Sequence, residues 1–269
     1  MTVANNLGLD SPMPLFEHGR IWLATTPVPW TYRINGLTLI ASQAFEGNVY
    51  SDDNWFVFMN KRRSAVRILH YQEDSVLLLE KSFLGESRFP KVSHSPDCGP
   101  FMELSRSEIS VMLSPYSQMI PIESLGLGGE LERSGNHEPR PVFPLFESGK
   151  IVPVLYPSKW NKLIRGLTMF VPCIYKVSPI SPEYWFLIMN RKRTAIRILH
   201  YQNDYVLLLE KRFTVSSKHF PTIWGQLGKG VIPELSRAEL KVVLDASFGS
   251  VQLTSLDLST RTKAALNKQ

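Results

Sequence analysis

The sequence predicts an α+β protein of two homologous tandem units, each a small antiparallel β-meander with flanking helices. Three observations carry this reading: an internal repeat at a spacing of 130 residues, three strand-like runs inside each copy, and a capped amphipathic segment closing each one. The repeat is plainest where residues 55–83 return as 185–213 with 20 of 29 positions identical, so one assignment of elements serves both units.

In chain order, Arg20-Ile21-Trp22-Leu23-Ala24 forms a short first strand. From Tyr32 to Ser42, the residues Ile34, Leu37, Leu39 and Ile40 fall near helical spacing, and Pro172 shortens the matching segment of the second unit. Residues 55–60, 64–71 and 76–83 then read as three strands separated by polar turns at 60–63 and 72–75, a two-hairpin antiparallel meander. Ser105-x-x-Glu108 and Ser236-x-x-Glu239 fit the capping box, in which hydroxyl and carboxylate satisfy free amides at a helix start. Behind them Ile109, Met112 and Leu113, like Leu240, Val243 and Leu244, make one apolar stripe that must pack on the sheet.

Weaker echoes set the boundaries. Pro14-Leu15-Phe16-Glu17 matches Pro144-Leu145-Phe146-Glu147, and Glu103-Leu104-Ser105-Arg106 matches Glu234-Leu235-Ser236-Arg237. The chain therefore divides into an N-terminal tail (1–11), unit one (12–118), a Pro/Gly-rich flexible linker (119–140), unit two (141–249) and a C-terminal tail (250–269).

Composition narrows the function classes. Six Trp, fourteen Phe and nine Tyr in 269 residues exclude a disordered chain. No apolar run approaches the roughly 18 residues of a spanning helix, and no secretory signal is visible, so a soluble cytoplasmic protein without membrane contact is expected. Cys98 and Cys173 stand in no metal-binding spacing and are expected to be reduced. Residues 1–135 hold 11 basic and 15 acidic side chains, net −4, whereas 136–269 hold 19 and 9, net +10. Any surface for an acidic partner is therefore expected mainly in unit two.

The ordered motifs resemble a known family, the short accessory protein of the sixty-six family of bacterial insertion sequences, often labelled TnpB and distinct from the RNA-guided nuclease of that label. The residues that carry the resemblance are Phe56-Val57-Phe58, Arg62-Arg63, Arg67-Ile68-Leu69, Asp74, Leu78, Lys81, Arg88-Phe89-Pro90 and Leu104-Ser105. Unit two repeats them as Phe186, Arg193, Arg197-Ile198-Leu199, Asp204, Leu208, Lys211-Arg212, Phe220-Pro221 and Leu235-Ser236. The family's Asp-Met-Arg-Lys run before the first helix is replaced by Pro29-Trp30-Thr31-Tyr32 and Lys159-Trp160-Asn161-Lys162, with only Lys162 retained. The family protein is typically a single unit. The resemblance implies an accessory role in DNA transposition beside a separate transposase, with no defined catalytic activity.

Read from the residues, the candidate nucleic-acid contacts are the basic hairpin tips. Lys61, Arg62 and Arg63 with Arg67 recur as Arg191, Lys192 and Arg193 with Arg197, and Lys162, Lys211 and Arg212 add to the second set. Cations on a short turn reach phosphate without desolvating a buried charge. The competing reading is a solvated turn that guards a sheet edge. Arg67 with Glu80, and Arg197 with Glu210, are expected to form cross-strand ion pairs if Tyr71 pairs with Val76. His70 lies near Asp74, and His200 near Asp204, a pairing that invites a general-base role. With no nucleophile motif, converging carboxylates, phosphate loop or metal cluster in the sequence, packing is preferred for both histidines and no enzyme or cofactor is expected. The strand aromatics Trp55, Phe56, Phe58, Tyr71 and Phe83 are expected in the core.

The expectation is thus a non-catalytic transposition accessory protein that touches DNA through basic turns, mainly of unit two, and a transposase or other protein through unit one. The alternative is a protein-interaction scaffold without DNA contact, its two units packed as a pseudo-dimer.

Overall fold

The structure is a computed structural model that describes residues 15–91, 99–113, 145–154 without 147, 166–168, 178–223 without 179 and 222, and 234–245. The expected linker and both tails, with Lys162, Cys98 and Cys173, lie outside the described residues.

The first half contains β1 (Arg20–Ala24), α1 (Ile34–Ala44), β2 (Asn54–Met59), β3 (Ala65–Gln72), β4 (Ser75–Phe83), β5 (Phe101–Leu104) and α2 (Arg106–Leu113). The second contains β6 (Lys150–Val154), β7 (Tyr184–Met189), β8 (Ala195–Tyr201), β9 (Tyr205–Phe213) and α3 (Arg237–Leu244). The expected strands, the first helix and the two capped helices are present within about two residues of their predicted ends, the usual uncertainty of a helix or strand boundary. The short strand β5 was not foreseen from the sequence; it pairs with β1 along its whole length.

The fold is α+β, and the nine strands among the described residues form one mixed sheet in the order β5-β1-β2-β3-β4-β9-β8-β7-β6. Two expectations are corrected. The sheet is not purely antiparallel, because β1 runs parallel to β2 and β6 parallel to β7. Nor are there two separate small sheets, because β4 and β9 pair antiparallel from Ser75↔Phe213 to Phe83↔Tyr205. An exposed β4 edge would be a template for another strand, and the second copy of the same strand in the chain fills it. Leu79 stands opposite Leu209, its own repeat equivalent, so a local two-fold axis passes through that pair.

Alternation along β4 and β9 sorts the side chains onto two faces. Leu77, Leu79 and Phe83 with Leu207, Leu209 and Phe213 join a continuous core that runs across both halves and is covered by Ile109, Met112 and Leu113 of α2 and Leu240, Val243 and Leu244 of α3. On the other face, α1 covers Phe56, Phe58, Leu69, Tyr71, Val76 and Leu78, while Leu167 packs with Phe186, Ile188, Leu199, Tyr201 and Leu208. The five strand aromatics named from sequence are all buried.

Both capped helices begin as predicted. Ser105 and Ser236 accept from the amides of Glu108 and Glu239, whose carboxylates accept from the serine amides at 2.7 and 2.5 Å. Their far ends use a device the sequence did not announce. Lys81 Nζ donates to the Leu113 carbonyl at 2.5 Å and Lys211 Nζ to the Leu244 carbonyl at 3.0 Å, so each helix C-terminus rests on a buried cation from the sheet. That is the favourable end of the helix dipole for positive charge. Entry into β1 and β6 passes through Gly19 (φ 80°) and Gly149 (φ 84°); at Gly19 a Cβ would stand 2.4 Å from the Asp53 carbonyl oxygen.

Candidate nucleic-acid interface

The basic tips are set by one asparagine each. Asn60 Oδ1 accepts from the amides of Ser64 (2.9 Å) and Ala65 (3.3 Å), and Asn190 Oδ1 does the same for Thr194 (2.8 Å) and Ala195 (3.1 Å). These bonds satisfy amides that the tight turn removes from the β-ladder. They also fold the third cation into the left-handed region, with φ 53° at Arg63 and 56° at Arg193. The carbonyls of Arg63 and Arg193 accept from the amides of Phe89 and Phe220, and Arg63 Nη1 donates to the Phe89 carbonyl at 3.1 Å. Arg63 and Arg193 therefore hold the loop that follows the meander, and the solvent-facing cations are Lys61 with Arg62 and Arg191 with Lys192.

The remaining predicted contacts sit elsewhere. Arg67 and Arg197 are 2% and 4% exposed, and Lys211 is buried under α3 as described. A buried guanidinium cannot meet a phosphate without unfolding its surroundings, so these three are removed from the surface set. Arg212 is half-buried and donates from Nη2 to Glu210 Oε1 at 2.8 Å.

Arg67 and Arg197 instead belong to an ionic network on the α1 face at the junction of the halves. Arg67 donates from Nε and Nη2 to Glu80 Oε2 at 3.0 and 2.9 Å, from Nη1 to the Trp30 carbonyl at 2.9 Å, and to the Tyr32 carbonyl. The Trp30 ring covers its guanidinium carbon at 3.8 Å. Arg197 Nε donates to Glu210 Oε2 at 2.9 Å. Arg33 connects the two carboxylates, reaching Glu80 at 3.3 Å and Glu210 at 2.8 Å. Tyr71 does stand opposite Val76, and Arg67 opposite Glu80, as the sequence predicted. Burial, however, makes these pairs far more consequential than the surface bridges that spacing alone suggested.

The network sets the local electrostatics. Burial disfavours the Glu210 carboxylate, but Arg197, Arg33 and Arg212 outweigh that penalty and hold the carboxyl below its ordinary value. Arg33 is also the N-cap of α1, where a cation opposes the helix dipole and its side chain makes no capping bond. Position 163, its equivalent at the repeat spacing, is leucine.

Neither histidine is placed for general-base work with its neighbouring aspartate. His70 Nδ1 donates to the Asn54 carbonyl at 3.0 Å and its ring stacks on Trp55 at 3.7 Å between centroids. His200 repeats this with the Tyr184 carbonyl at 2.9 Å and Trp185 at 3.8 Å. Burial pushes His70 down to about 4, keeping the imidazole neutral. Asp74 pairs with Lys218 instead. Among the described residues no three His, Cys, Asp or Glu side chains converge on a metal position, and no helix is long and apolar enough to cross a membrane.

Lys192 opens onto a feature the sequence reading missed, a pocket of about 510 Å³ lined by Lys192, Thr194, Phe213, Thr214, Val215, Ser216 and His219. The only advance signal is a break in the repeat: Leu84, Gly85 and Glu86 follow the first meander where Thr214, Val215 and Ser216 follow the second.

With that geometry in view, comparison with known proteins gives one family and no individual relative. Residues 19–118 match the model of the family described as "IS66 Orf2 like protein". Neither the curated proteins nor the solved structures contain a match. The matched stretch runs from the residue before β1 to five residues past α2 and holds Arg33, Arg67, Glu80 and the first basic turn. Over that stretch the chain resembles the accessory proteins of this insertion-sequence family.

Proposed function

We propose that the protein is a non-catalytic accessory factor of DNA transposition that contacts DNA through the second basic turn. Its two halves are read as duplicated units of one ancestral α+β domain. The first half, acidic in balance and carrying the family resemblance, docks a transposase or another transposition protein. The observation that carries the DNA contact is the turn itself: Arg191 and Lys192 project from a hairpin braced by Asn190, in the half with net charge +10. Cations held on a rigid turn release counterions from phosphate with little loss of side-chain freedom beyond their own. Arg212, half-exposed and shared with Glu210, contributes to the field without being a primary contact.

The test is fluorescence anisotropy with a labelled random duplex over a salt series, comparing the parent with Arg191→Glu/Lys192→Glu and with Lys61→Glu/Arg62→Glu. Each lost phosphate contact lowers the magnitude of the log–log salt slope by about 0.9, so the second-half variant should lose about two units of slope. The first-half variant should lose less. Salt-insensitive binding, or a second-half variant identical to the parent, removes the DNA contact.

A second reading, a scaffold without DNA contact, is supported by the β4–β9 junction and its ionic network, which pack the halves as a pseudo-dimer. It predicts partner binding that survives reversal of all four tip cations.

A further inference from the structure

We propose that the pocket beside the second basic turn binds a nucleotide unit, its phosphate held by Lys192, Thr194, Thr214 and Ser216 and its sugar against Val215. The inference deepens the DNA-contact reading and rests on it for the choice of a nucleic-acid ligand. Four features support it.

The first is donor chemistry. Thr194 Oγ1 accepts from Asn190 Nδ2 at 3.0 Å, which leaves its own hydroxyl proton to donate. His219 Nδ1 donates to the Ser217 carbonyl at 3.1 Å, which fixes the ring as part of the pocket wall. The Thr214 and Ser216 hydroxyls and the Lys192 ammonium have no partner among the described residues. One cation with several hydroxyl donors suits a phosphate's three acceptor oxygens.

The second is charge balance. Asp74, the acidic side chain tied to this segment, is neutralised by Lys218, and its carbonyl accepts the Thr214 amide at 2.8 Å. The contact pins the pocket's wall to the β3–β4 turn of the other half without leaving a free carboxylate to repel an anion.

The third is size and polarity. A volume of about 510 Å³ exceeds what an isolated phosphate needs and falls in the range, roughly 300–1,000 Å³, of small-ligand sites. Val215 is 43% exposed, an apolar surface beside the hydroxyls that a sugar can cover.

The fourth is the contrast within the chain. Leu84 occupies the place of Thr214, since the Leu84 amide donates to the Asp204 carbonyl as the Thr214 amide does to that of Asp74. Leu84 and Gly85 supply no side-chain donor, and Glu86 adds a negative charge. The equivalent place in the first half keeps a cation and a hydroxyl, Arg62 and Ser64, but lacks the hydroxyls of Thr214 and Ser216 and gains a carboxylate.

The experiment is an amide chemical-shift titration of the labelled full chain with thymidine 5′-monophosphate, thymidine and inorganic phosphate. The expected result is saturable shifts at 192, 194, 214–216 and 219 with the nucleotide, none with thymidine, and inorganic phosphate at least about tenfold weaker. Thr214→Leu/Ser216→Glu, which installs the first-half residues at exposed positions, should weaken nucleotide binding about tenfold or more, while Thr214→Ser retains it. No saturable shifts, equal affinity for inorganic phosphate and nucleotide, or an unaffected double variant would each overturn the pocket. The anisotropy series reads the DNA contact separately: duplex binding that depends on Arg191 and Lys192 without nucleotide shifts leaves that contact standing and removes the pocket, and the reverse result does the opposite.

Discussion

Replacing Glu210 by glutamine removes a charge that three arginines share. Glu210 accepts from Arg33 at 2.8 Å, Arg197 at 2.9 Å and Arg212 at 2.8 Å, and is itself only 1% exposed. Arg33 and Arg212 retain enough solvent contact, 24% and 37% of their side chains, to rehydrate when the carboxylate is lost. Arg197, at 5%, does not. Breaking a buried pair from one side costs about 3–5 kcal/mol; with one amide oxygen still accepting and two partners rehydrating, about 2–4 kcal/mol is expected here. That is a large part of the roughly 5–15 kcal/mol that holds an ordinary fold. Removing both buried partners, as Arg197→Met/Glu210→Leu, should cost markedly less than Glu210→Gln, because the guanidinium is then not kept in the buried site after its carboxylate has gone. The assay is urea unfolding followed by tryptophan fluorescence and far-ultraviolet circular dichroism, with the variants arranged as a double-mutant cycle. The pH dependence has a definite sign. A carboxyl depressed below its ordinary 4.5 stabilises fully above that value and loses its contribution as pH falls through the folded one, so parent and Glu210→Gln should converge in acid. A loss under about 1 kcal/mol for Glu210→Gln, or a double variant no better than the single one, would refute the reasoning.

Three further outcomes follow from the same geometry. Because burial pushes His70 from 6.5 down to about 4, the unfolded chain binds more protons between those values; stability should be full above pH 6.5 and fall by up to about 3 kcal/mol toward pH 4, and His70→Asn should flatten that slope in a pH series of urea midpoints. Ser236→Ala removes the side-chain half of a reciprocal cap, leaving the residue-236 amide to donate to Glu239, and should lower stability by about 1 kcal/mol in the same assay. Arg193→Gly relieves a positive φ at the turn and should leave the thermal midpoint within a few degrees of the parent and duplex affinity much closer to the parent than Arg191→Glu/Lys192→Glu does; a matching loss of affinity would show that Arg193 meets phosphate.

The fold was legible where local rules act. Apolar runs bounded by polar turns mark β2, β3 and β4 and, through the turn at 72–75, the β3–β4 register, and Ser-x-x-Glu places both capped helices, because each depends on neighbours within a few residues. What required the chain to close on itself was not legible. Short β5 has no periodicity to read, and its pairing with β1 joins residues about eighty positions apart. The parallel β1–β2 and β6–β7 pairings and the β4–β9 junction likewise depend on partners that only the tertiary fold brings together. The junction was nevertheless implicit in the repeat. Two copies of one strand with an unpartnered edge satisfy each other by antiparallel pairing about a two-fold axis, as Leu79 and Leu209 do.

Recurrence of a cation in both halves does not by itself distinguish an exposed contact from a buried structural one: Arg67, Arg197 and Lys211 are buried. Identity between the halves reports what both must do to fold. Arg67 and Arg197, Glu80 and Glu210, Lys81 and Lys211, His70 and His200, Trp55 and Trp185 are identical pairs, and every member is buried with a structural partner or in the core. A buried ion pair or a lysine under a helix end tolerates no replacement without leaving a charge or a carbonyl unsatisfied, so the duplication kept them. The exposed tips keep only their charge, with Lys61-Arg62 becoming Arg191-Lys192, as a phosphate contact permits and a buried one does not. Chemistry that separates the halves must lie where they differ. Those places include the charge balance, the bridging Arg33, and the exchange of Leu84, Gly85 and Glu86 for Thr214, Val215 and Ser216. Installing the first-half residues at 214 and 216 therefore tests more than a pocket: if nucleotide binding and the salt slope both survive it, the pocket is overturned and the difference between the halves lies in charge balance or in Arg33, not in this exchange.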